Sequence, residues 1–218
     1  MAQIFGPNSN TLARVSLAGA VICFFFLGAA IYAVYWSPYM TEVNVPRGQE
    51  VPFSHQHHYS GLGIDCRYCH TTVENSSFAG VPPTEICMSC HSQVWTDAPM
   101  LAPVRQSQAA DRPLQWNRVN DVPDFVYFNH GIHVQKGIGC STCHGRVDLM
   151  PLTWKAHSLY MRWCLDCHEN PAKSVRPKEE VFNMAWAPPP DQAERGRKLV
   201  VEYDIHTEQL RDCSMCHR

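Results

Sequence analysis

Five motifs of one pattern punctuate the chain: Cys66-Arg67-Tyr68-Cys69-His70, Cys87-Met88-Ser89-Cys90-His91, Cys140-Ser141-Thr142-Cys143-His144, Cys164-Leu165-Asp166-Cys167-His168 and Cys213-Ser214-Met215-Cys216-His217. The spacing has a mechanical meaning. Two cysteines three positions apart can reach the two vinyl groups on one porphyrin edge and form thioethers. The histidine that follows is then held under the iron as its proximal ligand. The pattern therefore predicts five covalently bound haem c groups. Cys66, Cys69, Cys87, Cys90, Cys140, Cys143, Cys164, Cys167, Cys213 and Cys216 are the attachment points, and His70, His91, His144, His168 and His217 are iron ligands. Zinc sites and disulfides also use paired cysteines. They do not place a histidine after every second cysteine, and 10 of the 11 cysteines here lie in motifs that end in histidine. The eleventh, Cys23, sits in an apolar run and reads as a small buried side chain.

That run, Leu17 to Trp36, holds 20 residues without a charge, and no charge occurs from Val15 to Thr41. A bilayer core needs roughly 20 apolar residues in helix. Tyr32, Tyr35, Trp36 and Tyr39 suit an interfacial belt. A cleaved secretory signal would have a shorter apolar core and a small-x-small cleavage site, and Ala30-Ile31-Tyr32-Ala33 is a poor one. The expectation is an N-terminal tail over 1–14 and a retained transmembrane helix over 15–37. The rest then lies on the outer, periplasmic side of a bacterial inner membrane, where haem is attached to thiols. Arg14 points the same way. The formal net charge of −2 argues against a nucleic-acid partner.

About 180 residues remain to enclose five haems, an estimate that leaves little protein for an ordinary core. The haems themselves should form the core, in a mostly irregular, short-helical domain; the 16 prolines agree. An internal repeat organises it. Phe53-Ser54-His55-Gln56-His57-His58 precedes the first motif, and Phe128-Asn129-His130-Gly131-Ile132-His133 precedes the third. Both read F-x-H-x-x-H, and each is followed by two motifs. The expected units are a first dihaem unit over 50–94, a linker over 95–127, and a second dihaem unit over 128–171. A C-terminal connection with the fifth haem completes the chain over 172–218. The mixed-charge stretch 191–211 predicts one helix.

Each iron needs a second axial ligand to stay low-spin and closed to substrates. Outside the motifs stand His55, His57, His58, His130, His133, His157 and His206. The repeat singles out His55, His58, His130 and His133. A separation of three puts both imidazoles of a pair on one side of a helical turn. One can serve its own unit's first haem and the other a neighbouring haem. The fifth distal position stays open between Met150, whose thioether would raise the potential, and His157 or His206.

The F-x-H-x-x-H units resemble the cytochrome c3 and c7 group. By that resemblance His55 would pair with His70, His58 with His91, His130 with His144 and His133 with His168. The stretches IDCRYCHTTVENSSFAGVPPTEICMSCH, WNRVNDVPDFVYFNHGIHV, GCSTCHGRVDLM and RWCLDCHENP resemble the pentahaem cytochrome subunit of bacterial alternative complex III. This resemblance implies a multihaem cytochrome c with one transmembrane helix and a periplasmic domain. It implies a fifth ligand at Met150, although His157 departs from the family's pattern. The implied partners are an iron–sulfur subunit, polytopic quinol-binding subunits and a monohaem cytochrome c. The chain would be the electron wire of a quinol-oxidising complex, with no small-molecule substrate and no catalytic residue of its own. Two other functions compete. A stand-alone membrane-anchored quinol dehydrogenase would start its haem motifs sooner after the helix and lack the paired F-x-H-x-x-H units. A multihaem reductase would keep one iron open, whereas here all five motifs end in histidine and spare ligands are in surplus.

Overall fold

The computed structural model describes residues 4–217. The first three residues of the expected tail, and residue 218 at the end of the C-terminal segment, lie outside that range. The chain divides into two compact units, 1–42 and 43–218.

The N-terminal unit is dominated by one helix, Ser9–Tyr35, of 27 residues. At 1.5 Å per residue it is about 40 Å long, more than a bilayer core requires. It begins earlier than the apolar run because Ser9 to Arg14 continue the same helical path. None of its residues is buried within the protein. Length and composition thus make it a helix able to cross a membrane. A proline-initiated turn, Pro38–Thr41, follows it and ends at Glu42 in the left-handed region.

The second unit is helical and irregular. Its pairing in the β sense, among the described residues, amounts to isolated bridges such as Val126 with His217 and Ile138 with Val175. The longer helices have local reasons to form. Thr84–His91 starts after an extended Pro83 and carries Glu85 in its first turn. Ala102–Ala110 starts with a proline in its first turn and stops at Asp111, which adopts a left-handed conformation. Gln192–Glu202 fulfils the helix expected within 191–211. It packs against the short turn Pro171–Lys173 so closely that any Cβ at Gly196 would collide with the Ala172 carbonyl. Gln192 Nε2 donates to the carbonyls of Ala172 and Val175, each at 2.8 Å.

The motifs themselves fold as short helical turns or helix ends: Cys66–Cys69, Thr84–His91, Cys140–His144, Met161–Glu169 and Cys213–Cys216. The two copies of the repeat do not fold identically. The second is a regular α-turn, His130–Gln135, and the first is a wider π-turn, Gln56–Gly61. Buried apolar side chains are few for such a length: Val51, Val73, Leu101, Val104, Met150, Ala172, Val175, Val181 and Met184. A protein core of this size does not by itself account for a domain of this length, so covalent staples and packed cofactors fit the scaffold.

Candidate haem centres

The residue between Phe and the first His in each repeat builds the local geometry. Ser54 Oγ accepts from the His57 N–H at 3.1 Å, and Asn129 Oδ1 accepts from the Ile132 N–H at 3.2 Å. Both are N-terminal caps of the turn that carries the histidines. Their carbonyls do a second job. His58 Nδ1–H donates to the Ser54 carbonyl at 2.8 Å, and His133 Nδ1–H to the Asn129 carbonyl at 2.6 Å. The phenylalanine completes the unit. Phe53 lies 4.4 Å from the His58 ring at 22°, and Phe128 lies 4.5 Å from the His133 ring at 28°. Edge-on contacts of Phe53 with His55 and of Phe128 with His130 also match. Sequence reasoning took the histidines from the repeat and missed the cap. A polar capping residue between Phe and His in both copies was the available signal.

These carbonyl contacts fix the tautomer. A carbonyl only accepts, so the ring nitrogen that faces it bears the proton and Nε2 keeps its lone pair for a metal. His70 Nδ1 reaches the Gly80 carbonyl at 2.7 Å, and His91 that of Val94 at 3.1 Å. His130 reaches Ser77 at 3.1 Å, His168 reaches Leu210 at 2.9 Å and His217 reaches Phe125 at 3.2 Å. His55 Nδ1 meets the Thr153 hydroxyl at 3.0 Å, a partner that sequence reasoning did not name.

Three pairs of imidazoles face each other. His130 and His144 have ring centres 6.4 Å apart and planes 5° from parallel. His133 and His168 stand 6.2 Å apart at 25°, and His58 and His91 6.3 Å apart at 70°. Two imidazoles each bound through nitrogen at about 2 Å to one metal have ring centres roughly 6 Å apart. The fit is therefore close, and it recurs in three independent places. The His70 imidazole lies near enough to His55 to act on it electrostatically.

The electrostatics favour neutral ligands. Burial, followed by the nearby imidazoles of His70 and His58, pushes His55 down to about 4. Burial also takes His144 to about 4, helped by His130, His70, His55 and His157. His58, His130 and His133 are lowered as well, chiefly by burial. A neutral imidazole is the form that binds a metal. Burial pushes the Cys143 thiol up to about 12, and a hydrogen bond with Cys66, followed by burial, raises the Cys140 thiol. None of the eleven cysteines is in a disulfide.

The motifs neighbour one another in an order that differs from the sequence. Cys69 lies near Cys87 and Cys90. Cys66 and Cys140 are close enough for their thiols to hydrogen-bond. Cys143 feels Cys167 and Cys164, and Cys164 feels Cys216. By proximity the motifs follow one another in the order second, first, third, fourth, fifth. The second repeat also docks onto the loop after the first motif, where the Gly131 N–H donates to the Ser76 carbonyl at 2.8 Å. A Cβ at Gly131 would press on backbone atoms of Ser76 and Glu74. The second repeat and the loop after the first motif therefore pack together inside one compact unit.

The candidates for the fifth distal position fall in different places. Met150 is 2% exposed, and its carbonyl accepts from Gln56 N–H, beside His55. His157 stacks on Trp163 at 5.1 Å and lies near His144. His206 is exposed and its Nε2 sits 3.3 Å from Asp204. The neighbour of the His217 ring is Phe125, at 5.8 Å.

Comparison with known proteins adds a family to this geometry. Residues 132–218 match the family model described as cytochrome c3. Over that stretch the chain is similar to the cytochrome c3 family. The chain is also 33% identical, over 122 residues, to the multiheme cytochrome c subunit of the menaquinone reductase of Nitratidesulfovibrio vulgaris. The match covers 55% of this chain and 57% of that relative, so the chain spans little more than half the relative's length. The chain is thus similar, over part of its length, to multihaem cytochromes c.

Proposed function

We propose that the chain is the five-haem electron wire of a membrane complex that exchanges electrons with a quinone pool. The Ser9–Tyr35 helix anchors it, and the haem domain lies on the periplasmic side. The observation that carries this reading is the set of facing imidazoles, His130 with His144, His133 with His168 and His58 with His91. Each pair would hold one iron on both axial sides. Such an iron changes oxidation state but has no open position for a substrate. His55 with His70 makes the fourth pair, and Met150 or His157 competes for the remaining distal position. The protein's own part is to fix the ring planes through the Nδ1–H bonds, keep the imidazoles neutral, and bring the motifs side by side. Electrons then pass along the order second, first, third, fourth, fifth.

The partners in this reading are an iron–sulfur subunit, polytopic quinone-binding subunits and a monohaem cytochrome, as in alternative complex III. The quinone site belongs to those partners. The apolar helix from Val15 to Tyr35 has no ionisable group suited to take a quinol proton. The relation to a menaquinone reductase subunit favours a second version, in which the same wire delivers electrons to the quinone pool. A stopped-flow experiment tests the shared core of both. The purified chain should take electrons rapidly from a soluble reductant and give them up to a soluble oxidant. It should oxidise a quinol analogue only within the complex. Quinol oxidation by the isolated chain at the rate of the complex would overturn the reading in favour of a stand-alone dehydrogenase.

A further inference from the structure

Arg176 is 3% exposed, and its guanidinium lies across the third motif. Its Nη2 donates to Thr142 Oγ1 at 2.8 Å and its Nη1 to Ser141 Oγ at 3.2 Å. A longer contact of 3.5 Å joins Nη1 to the Asn183 carbonyl. The buried Nε has no acceptor. The Trp186 ring covers one face of the group, 4.1 Å from its centre. Gly139, immediately before Cys140, leaves the space that the guanidinium fills, and a Cβ there would collide with it. The arginine's backbone is held too, since its N–H donates to the Gly137 carbonyl at 2.9 Å.

This cation lacks a carboxylate partner. Among the described residues no Asp or Glu oxygen pairs with it, whereas the buried Asp148 is matched by Arg146 at 2.7 Å. The charged and titratable groups that face Arg176 are Cys140, Glu180 and Cys143. Glu180 is only partly buried and spends one oxygen on Asn183 Nδ2. Burying an uncompensated charge is costly, so the fold sustains it against a penalty. A guanidinium placed there only as glue could be replaced by a neutral donor at lower cost.

We propose that Arg176 tunes the haem held by Cys140, Cys143 and His144, raising its reduction potential above that set by its two imidazoles. The physical basis is direct. Reduction of ferric to ferrous iron adds one negative charge to the centre and breaks no bond. A fixed cation beside the attachment cysteines stabilises the reduced form, and the dry surroundings screen it weakly. The effect falls on the third motif, the middle position of the path, so electrons arriving from either side would settle there. The inference rests on the proposed haem at the third motif. Arg176 is in this sense a positioning residue for charge and touches no substrate.

The test is a spectroelectrochemical titration of the full-length, haem-loaded chain in detergent, comparing wild type with Arg176→Gln, Arg176→Lys and Glu180→Gln. Arg176→Gln should lower one of the redox steps and leave the others in place. Arg176→Lys keeps the charge and should restore most of that step. Glu180→Gln removes the nearest carboxylate and should raise the same step slightly. Intact mass and the low-spin spectrum are recorded on the same samples. A fully loaded, low-spin Arg176→Gln protein with an unchanged titration would show that the arginine is glue and overturn the inference. Should that variant fail to load haem, Glu180→Gln decides, and an unmoved curve overturns it. Wild-type protein lacking haem on the third motif would instead overturn the reading on which the inference rests.

Discussion

The imidazoles of His130 and His144 lie 6.4 Å apart, centre to centre, with planes only 5° from parallel. One ring comes from the repeat and the other from the third Cys-x-x-Cys-His motif. His130 is oriented by the Ser77 carbonyl and by the docking of Gly131 onto Ser76. The relationship follows directly if one iron is shared by both rings. Removing His130 should then separate attachment from ligation. His130→Ala should keep all its covalent haem, because the thioethers are untouched, while one iron becomes high-spin. Visible and electron paramagnetic resonance spectra read both quantities, and a fully low-spin variant would show that His130 is no ligand.

The ring angles make a spectroscopic prediction of their own. Parallel axial imidazoles split the two iron orbitals that interact with them, and crossed imidazoles leave those orbitals nearly equal. His130 with His144 at 5° and His133 with His168 at 25° should give ordinary rhombic low-spin signals. His58 with His91 at 70° should give a strongly anisotropic signal with one large g value. His58→Ala should abolish that signal alone. Loss of a rhombic signal in its place would mean that the pairing is different.

The caps predict stability without loss of ligation. Asn129→Ala removes the side-chain acceptor for Ile132 N–H and should cost about 1 kcal/mol. The carbonyl that orients His133 belongs to the backbone and remains. Chemical denaturation should therefore show a lower midpoint while the low-spin spectrum persists. Ser54→Ala should behave in the same way at the first repeat.

Much of this was legible in the sequence and some was not. The cysteines, the motif histidines and the F-x-H-x-x-H pairs are fixed by local spacing, so a reader of the chain can find them. Local spacing also gives the helix within 191–211. It does not reveal that Ser54 and Asn129 cap their turns, that Thr153 meets His55, or that Arg176 crosses the third motif from 35 residues away. Such contacts depend on how distant segments meet. The repeat does not reveal that Cys66 lies against Cys140 and Gly131 against Ser76. The two copies, which share only Phe and the two histidines, also fold differently. The first copy is a π-turn and the second an α-turn, although their His–Phe contacts agree.

Gly196 marks a constraint outside the haem centres. The helix Gln192–Glu202 approaches Pro171–Lys173 with no room for a side chain at that position. Gly196→Ala should destabilise the domain by about 1–3 kcal/mol through overpacking. The denaturation midpoint should fall with haem content unchanged, and an unaltered midpoint would refute the close contact.

The central claim is that all five Cys-x-x-Cys-His motifs carry haem. Intact mass spectrometry of the membrane-extracted, denatured chain tests it most directly, since thioether-bound haem survives denaturation. The account predicts a mass equal to the polypeptide plus five haems, with the Ser9–Tyr35 helix retained. A mass corresponding to fewer haems, or to a chain beginning near Val34, would contradict it.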